Sequence, residues 1–136
     1  MNNVQKSFDQ GEFPFQKETG IIIGVAMEIH RILGKGFLEI VYNDAFEYEC
    51  IQRHLFFERE KEFIVPYKTV ILPHRFYADF IIFEKIIVEI KSQRGIPEEH
   101  YTQTINYLAV SKCPVGLIFN FSERSLQFKR VVLTKS

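Results

Sequence analysis

The chain has 136 residues, of which 46% are hydrophobic and 25% charged, and its 17 basic and 17 acidic side chains give a formal net charge of zero. This length predicts one domain with a core that needs no covalent staples. Proteins that hold nucleic acid tightly without sequence preference carry a basic excess, so the neutral charge argues against that class, although less strongly against an enzyme that meets its substrate briefly.

The first part of the chain predicts an arm followed by two helices. Residues 1–15 are polar and predict a loosely packed N-terminal arm without a secretion signal, so residues 16–136 form the single domain. Apolar side chains at helical spacing predict a helix over residues 18–33, which Gly34 and Gly36 end. A second amphipathic helix is predicted over residues 38–55.

The second part of the chain predicts a mixed sheet. The predicted strands span residues 63–72, 75–83, 86–92, 115–121 and 126–133, and a helix spans residues 95–111. The first three strands suit an antiparallel meander, and the helix suits a β-α-β crossover to the fourth strand. We therefore expect an α/β fold of the α+β mixed-sheet kind, with helices packed against the sheet.

The two cysteines and the apolar runs exclude other classes. Cys50 and Cys113 are far apart and have no neighbouring cysteine or paired histidine, so they predict no zinc site. No run of 18 apolar residues is present, which predicts no membrane partner. We expect a cytoplasmic protein with free thiols.

Three charged residues lie where two predicted strands meet. Glu89 and Lys91 are two residues apart at the end of an apolar strand, so both point to one face, and Asp79 lies on the neighbouring strand. Two carboxylates about 5 Å apart repel by roughly 3 kcal/mol at an effective dielectric near 20. With Glu39 added, such a pocket favours a divalent cation, which we expect to be Mg²⁺ (or Mn²⁺). Water on that ion suits attack on a phosphate, and Lys91 would act on the water or on the transition state.

This site requires a particular connection between the two strands. A regular two-residue turn at Glu84-Lys85 would pair Phe80 with Glu89 and put Asp79 on the opposite face of the sheet. We therefore predict a three-residue loop or a bulge between Asp79 and Glu89.

A family resemblance extends this interpretation. Gly36-Phe37-Leu38-Glu39-Ile40-Val41-Tyr42 matches a Gly-x-x-Glu-x-x-Tyr signature. Further matching motifs, in chain order, are Glu28-Ile29-His30-Arg31, Asp79, Glu89-Ile90-Lys91, Gln103, Asn106-Tyr107-Leu108, Gly116-Leu117, Asn120-Phe121 and Lys129-Arg130. Over residues 17–132 the chain thus resembles the GxxExxY proteins of the PD-(D/E)xK nuclease superfamily, with Ala78 where the superfamily name has proline.

The resemblance implies a fold and a ligand set. The fold is a restriction-endonuclease-like core of helix, three-strand meander, helix and strand, with an additional N-terminal helix and C-terminal strand. Asp79 and Glu89 are implied to bind the metal, with the carbonyl of Ile90 as third ligand. Glu39 matches the helical acid of the superfamily, and Gln103 matches a polar residue that follows the lysine motif in some members.

Other polar residues leave two interpretations open. Tyr42 lies one turn after Glu39, where it could hydrogen-bond that carboxylate. Gln103, Asn106 and Tyr107 share a helix face, with His100 one turn earlier, and these residues either line the site or form a buried polar seam. His30 is either a packed histidine or a catalytic one. The basic residues Arg124, Lys129 and Arg130 either contact phosphates or lie on a solvated strand face.

The leading hypothesis is a metal-dependent nuclease that hydrolyses phosphodiester bonds in DNA or structured nucleic acid. The alternative is a catalytically silent nuclease-fold interaction module or subunit, and a third hypothesis is an enzyme of small phosphoesters. Nucleic acid, and DNA in particular, is the expected partner. A homodimer is expected if Phe-rich surface is exposed.

Overall fold

The structure is a computed structural model that describes the backbone of residues 2–5 and 15–135 and the side chains of residues 15–133. The elements, in chain order, are β1 (Asn2–Gln5), α1 (Gln16–Leu33), α2 (Glu39–Gln52), β2 (Phe57–Phe63), β3 (Pro66–Tyr67), β4 (Val70–Ile71), β5 (Phe76–Ile82), β6 (Ile86–Lys91), α3 (Glu98–Ser111), β7 (Val115–Asn120) and β8 (Gln127–Lys135). No helix in these ranges has the length and apolar character that crossing a bilayer requires.

Six strands form one mixed sheet in the order β1-β8-β7-β6-β5-β2, and β3 pairs with β4 outside it. The β6–β7 pair is parallel, and the other neighbouring pairs of the large sheet are antiparallel. Helix α3 makes the crossover between the two parallel strands, as a parallel connection requires. The predicted antiparallel meander followed by a β-α-β unit is therefore confirmed.

Helices cover both faces of the sheet. On one face, Ile22 of α1 and Phe46 of α2 belong to a buried cluster with Phe80, Val88 and Phe119 of the strands. On the other face, α3 contributes a second cluster, whose strand members include Ile87 of β6 and Ile118 of β7. Fully burying each large apolar side chain contributes about 1.5–3 kcal/mol, so both faces of β6 are fixed by packing. Odd-numbered residues of β6 point towards α3, and this face carries Glu89 and Lys91.

A glycine lets α3 approach the sheet closely. A Cβ atom on Gly116 of β7 would lie 2.6 Å from the Cγ2 atom of Thr104 on α3. Such a separation is shorter than van der Waals contact permits, so the absence of a side chain here sets the position of α3 over β6 and β7.

The structure corrects one prediction about the strands and adds a strand within the predicted arm. The strand predicted over residues 63–72 is wrong, because the first meander strand is β2, which ends at Phe63, and residues 66–71 form the separate β3–β4 hairpin. Lys68 has a φ of 53°, which reverses the chain within that hairpin. The arm predicted over residues 1–15 contains β1, which pairs with β8, while residues 1 and 6–14 lie outside the described part of the chain.

Candidate active site

A three-residue loop joins β5 to β6. Phe80 pairs with Val88 and Ile82 pairs with Ile86, which leaves residues 83–85 as the connection. Phe83 and Glu84 have φ values of 57° and 61°, in the left-handed region. The predicted three-residue loop is confirmed, and extending the register by one pair places Asp79 opposite Glu89 on the same face.

The two carboxylates are locked across the strands. The backbone N–H of Asp79 donates to Glu89 Oε2 at 2.9 Å, and the backbone N–H of Ile90 donates to Asp79 Oδ2 at 2.8 Å. The backbone pairing of β5 with β6 ends at Phe80 and Val88, so the carboxylates take the place of the next backbone acceptors. Each carboxylate keeps a second oxygen, which accepts no hydrogen bond from the described residues.

The carbonyl of Ile90 lies beside this pair. The N–H and C=O of one strand residue point to the same edge of the strand. Because the Ile90 N–H bonds the Asp79 carboxylate, its carbonyl also faces β5, at the point where the backbone pairing has ended. The residue predicted as third ligand therefore presents its oxygen on the side of Asp79.

Burial makes the ionised pair costly. Glu89 is only 3% exposed, and burial raises its pKa well above the ordinary 4.5, with a further increase from the nearby Asp79 charge. Burial also raises the pKa of Asp79, although the hydrogen bond from Ile90 and the Lys91 charge oppose that increase. Two buried like charges side by side favour either a shared proton or a bound cation.

Lys91 is close enough for its charge to oppose the increase in the pKa of both carboxyl groups. Within the described residues, however, its amine forms no ion pair with either of them. Lys91 is half-buried at the end of β6, so its amine remains available to another anion beside the pair.

Glu39 begins α2 and ties that helix to the end of β6. Its Oε2 atom accepts a hydrogen bond from the Ser92 N–H at 3.2 Å, and the Ser92 hydroxyl donates to the Phe37 carbonyl at 2.8 Å. The Glu39 charge raises the pKa of both Asp79 and Glu89. The predicted helical acid therefore lies within electrostatic reach of the carboxylate pair, and its backbone partner directly follows Lys91.

Tyr42 fixes the turn that precedes Glu39. Its hydroxyl donates to the Gly34 carbonyl at 2.6 Å and accepts from the Phe37 N–H at 3.3 Å, and its ring stacks on Phe121 with centroids 4.4 Å apart. The predicted hydrogen bond from Tyr42 to Glu39 is wrong, because the hydroxyl reaches back to the glycine turn. Gly36 has a φ of 108°, which favours glycine, so each named position of the Gly-x-x-Glu-x-x-Tyr signature has a structural role.

One face of α3 forms the wall opposite the pair. Burial raises the pKa of Tyr107, and the charges of Glu89 and Asp79 add to that increase. Burial, followed by the Lys91 charge, lowers the pKa of His100, whose Nδ1 atom is buried without a hydrogen-bond partner among the described residues. Gln103 lies between these two on the same helix face and is half-buried. The arrangement favours the site-lining interpretation over the polar seam for these three residues, whereas Asn106 is exposed.

The remaining candidates lie apart from the pair. His30 Nε2 donates to the Glu123 carbonyl at 2.8 Å, which favours the packed interpretation of this histidine. Arg124 is exposed in the turn between β7 and β8. Lys129 and Arg130 are adjacent on β8, so their side chains point to opposite faces, and the Arg130 guanidinium lies over Phe128, 5.5 Å from the ring centroid.

Asn120 has a role that the sequence analysis did not identify. It is buried and pairs with Lys91 in the parallel register. Its amide nitrogen donates to the carbonyls of Gln93 and Gly95 at 2.6 and 2.8 Å, and its oxygen accepts from the Gln93 and Ser122 N–H groups at 3.2 Å each. Asn120 thus holds the loop that follows Lys91. The available signal was a polar residue at the end of an otherwise apolar strand.

The donor set fits a hard divalent cation. Among the side chains of residues 15–133, no group of three or more His, Cys, Asp or Glu is placed to hold a metal ion. Mg²⁺ usually keeps several waters and takes only one or two carboxylates from the protein. Asp79 and Glu89 offer two carboxylates, and Ile90 offers a carbonyl, so the residues present suit a partly hydrated ion rather than an all-protein cage.

Comparison with known proteins identifies the superfamily of the chain. A family profile described as the PD-(D/E)xK nuclease superfamily matches residues 16–131, and the chain belongs to that superfamily. Nucleases of this superfamily generally depend on a divalent metal ion and interact with nucleic acid. The three helices and the mixed sheet are those of a restriction-endonuclease-like fold, as predicted.

A solved structure shows a similar fold. The crystal structure of SSO0001 is similar to this chain with a TM-score of 0.51 and 16% sequence identity, over 87% of this chain and 78% of SSO0001. At that identity the similarity concerns the fold alone. No curated protein matches the chain at a significant level.

Proposed function

We propose that this protein is a nuclease that uses Mg²⁺ or Mn²⁺ to hydrolyse phosphodiester bonds in nucleic acid, with DNA as the preferred polymer. The observation that carries this proposal is the Asp79–Glu89 pair, which is buried, locked by reciprocal backbone hydrogen bonds and flanked by Lys91. Membership of the PD-(D/E)xK superfamily supports it.

Each residue of the site has its own proposed role. Asp79 and Glu89 would hold the cation through their free oxygens, with the Ile90 carbonyl as a third donor. When bound, the cation supplies a Lewis acid for the phosphate and lowers the pKa of a water. Lys91 places its ammonium beside the scissile phosphate, where it stabilises charge on the phosphoryl oxygens or orients the attacking water. Glu39 adds negative charge, and Gln103 orients the substrate from α3.

We further propose that the chain belongs to the GxxExxY group within the superfamily. The roles of the signature residues support this assignment, because Tyr42 fixes the glycine turn and Glu39 joins α2 to the residue after Lys91. In this interpretation the signature places Glu39 beside the end of β6, which carries Glu89 and Lys91.

Cleavage assays with matched variants test the proposed activity. Labelled single-stranded, duplex and branched DNA and duplex RNA are incubated with the protein in Mg²⁺, Mn²⁺ or EDTA. We expect metal-dependent cleavage of DNA, which Asp79→Asn and Glu89→Gln abolish and Lys91→Met strongly reduces. Lys85→Met is the control, because Lys85 is an exposed lysine at the opposite end of β6. Cleavage that persists in an Asp79→Asn/Lys91→Met double variant would refute the assignment, and cleavage of RNA alone would refute the choice of polymer.

A catalytically silent interaction module is the second candidate. Large apolar side chains on the helical layer favour it, since Leu38 is 75% exposed and Ile32 is 61% exposed. This candidate requires that the wild-type protein neither cleave any of the substrates nor bind Mn²⁺ with measurable affinity. Cleavage of bis(p-nitrophenyl) phosphate without cleavage of any polymer would instead support an enzyme of small phosphoesters.

A further inference from the structure

A small hairpin stands apart from the main sheet. Residues 64–75, here called the rim hairpin, connect β2 to β5 and contain β3 and β4, which pair only with each other. Tyr67 pairs with Val70, and the Leu72 N–H donates to the Val65 carbonyl at 2.9 Å. An isolated two-stranded hairpin is only marginally stable in water, and connecting segments that a rigid scaffold positions often carry binding residues.

The rim hairpin projects from the end of the sheet that carries the candidate active site. Because β5 and β6 are antiparallel, β5 begins at the end of the sheet where β6 ends with Lys91, and the rim hairpin continues from β2 and β5 beyond that end. The rings of His74 and Phe76 have centroids 4.8 Å apart, and those of Phe76 and Tyr107 are 5.7 Å apart. A continuous line of rings therefore joins the base of the hairpin to the α3 wall of the site.

The surface of the rim hairpin is apolar and aromatic. Tyr67, Val70 and Ile71 are 54%, 54% and 53% exposed, and Ile64 is also exposed. Exposed apolar side chains clustered on a projecting segment mark an interaction site.

The charge of this segment selects an anionic partner. Residues 63–78 contain no Asp or Glu, although the whole chain has equal numbers of acidic and basic residues. Lys68 is at the tip, with its amine 5.5 Å from the centre of the Tyr67 ring. Arg75 is at the base, where its guanidinium donates to the Leu72 carbonyl at 2.6 Å. The tip therefore presents a cation and an aromatic face together.

We infer that the rim hairpin binds the nucleic-acid substrate as a two-stranded ribbon, with Lys68 on a phosphate and Tyr67 against a base or sugar. This inference rests on the proposed nuclease function and adds a substrate-binding surface to it. The major groove of a DNA duplex, about 12 Å wide, admits a two-stranded β-ribbon. Apolar side chains such as Val70 and Ile71 pack against bases in the same way that apolar residues contact thymine methyl groups or wedge between base steps.

A second copy of the chain suits this surface less well. In a two-fold symmetric contact the same patch meets itself, so the positive charge of Lys68 and Arg75 would face an equally positive patch on the other copy. The absence of acidic side chains from residues 63–78 leaves no opposite charge within the patch to offset that repulsion.

Binding measurements on full-length variants test the inference. Fluorescence anisotropy follows a labelled DNA duplex of about 20 base pairs with Ca²⁺ in place of Mg²⁺, so that binding is measured without cleavage. Tyr67→Ala removes the exposed ring, and Lys68→Gly removes the amine while suiting the φ of 53° at that position. The matched controls are Tyr48→Ala, an exposed tyrosine of α2, and Lys85→Gly, a lysine of the loop at the opposite end of β5 and β6.

We expect the Tyr67→Ala/Lys68→Gly double variant to bind the duplex at least fivefold more weakly, while both controls stay within twofold of the wild type. Loss of one phosphate contact should also reduce the slope of log K against log salt by about 1. Equal affinities of the double variant and the controls, or no duplex binding by the wild type, would overturn the inference. A change from dimer to monomer in light scattering, with duplex affinity unchanged, would overturn it in favour of a protein contact.

The site variants separate this inference from the proposed function. Asp79→Asn should abolish cleavage and leave the hairpin-dependent part of duplex binding intact. Metal-dependent cleavage with no effect of the hairpin substitutions refutes the inference alone. Hairpin-dependent binding without cleavage under any metal condition refutes the proposed function alone.

Discussion

Neutralising one carboxylate of the buried pair should stabilise the metal-free protein. Glu89→Gln keeps an oxygen in place to accept the Asp79 N–H and removes the charge that burial and Asp79 both disfavour. Two unit charges about 5 Å apart repel by about 3 kcal/mol at an effective dielectric near 20. Because the Lys91 charge offsets part of this repulsion, we expect the free energy of unfolding in EDTA at pH 7 to rise by about 1–3 kcal/mol.

The pH dependence of this gain has a definite sign. The pKa of Glu89 is raised in the folded state, so the folded protein binds the proton more tightly and wild-type stability falls as pH rises above the ordinary value of 4.5. Glu89→Gln lacks this proton. The stability difference between variant and wild type should therefore be small below pH 4.5 and should grow as pH rises from there until the folded-state pKa is passed.

Urea unfolding in EDTA and in Mg²⁺ measures both effects. The cation should stabilise the wild type by mass action and should have little effect on Glu89→Gln. Glu84→Gln is the control, because Glu84 is an exposed carboxylate in the loop at the other end of β6. A loss of more than about 1 kcal/mol for Glu89→Gln at pH 7 in EDTA, or equal Mg²⁺ stabilisation of both proteins, would refute the reasoning.

Four further substitutions test other parts of the structure. Lys91→Met should reduce cleavage by about 100-fold or more, measured as an initial rate, and leave Mn²⁺ affinity undiminished because the removed charge repels the cation. Tyr42→Phe should cost about 1–2 kcal/mol in urea unfolding, since a partly buried carbonyl loses its donor; an unchanged midpoint would contradict that role. Glu84→Gly should gain about 1 kcal/mol because its φ is 61°, and a loss would count against the loop conformation. Asn120→Ala should cost about 2–4 kcal/mol, because it removes several hydrogen bonds of a buried amide. A thermal unfolding midpoint equal to that of the wild type would contradict the role of Asn120 in holding the loop after Lys91.

Local regularities made the centre of the site predictable from sequence. Glu89 and Lys91 share a face because side chains alternate along a strand, and the loop length followed from requiring Asp79 on that same face. The placement of His100 and Tyr107 on one face of α3 followed from helical spacing in the same way.

The rest depended on contacts that spacing does not encode. β2 has the sequence FEREKEF, whose many charged residues are not typical of a strand, although its half-buried and exposed side chains alternate. The Tyr42 hydroxyl reaches back to Gly34, and this choice of partner depends on the turn between the helices. The hydrogen bonds from Asn120 to the loop after Lys91 depend on the parallel register of β6 and β7, which brings the end of one strand beside the loop that follows the other.

The central claim is that Asp79 and Glu89 together form one divalent-cation site. Electron paramagnetic resonance of free Mn²⁺ during a titration of the protein tests it directly, because the signal of the free ion reports the bound fraction without any need for activity. We expect one Mn²⁺ bound per chain, a loss of that binding in Asp79→Asn and in Glu89→Gln, and unchanged binding in Glu84→Gln. Mn²⁺ binding of wild-type stoichiometry and affinity in both site variants would contradict it.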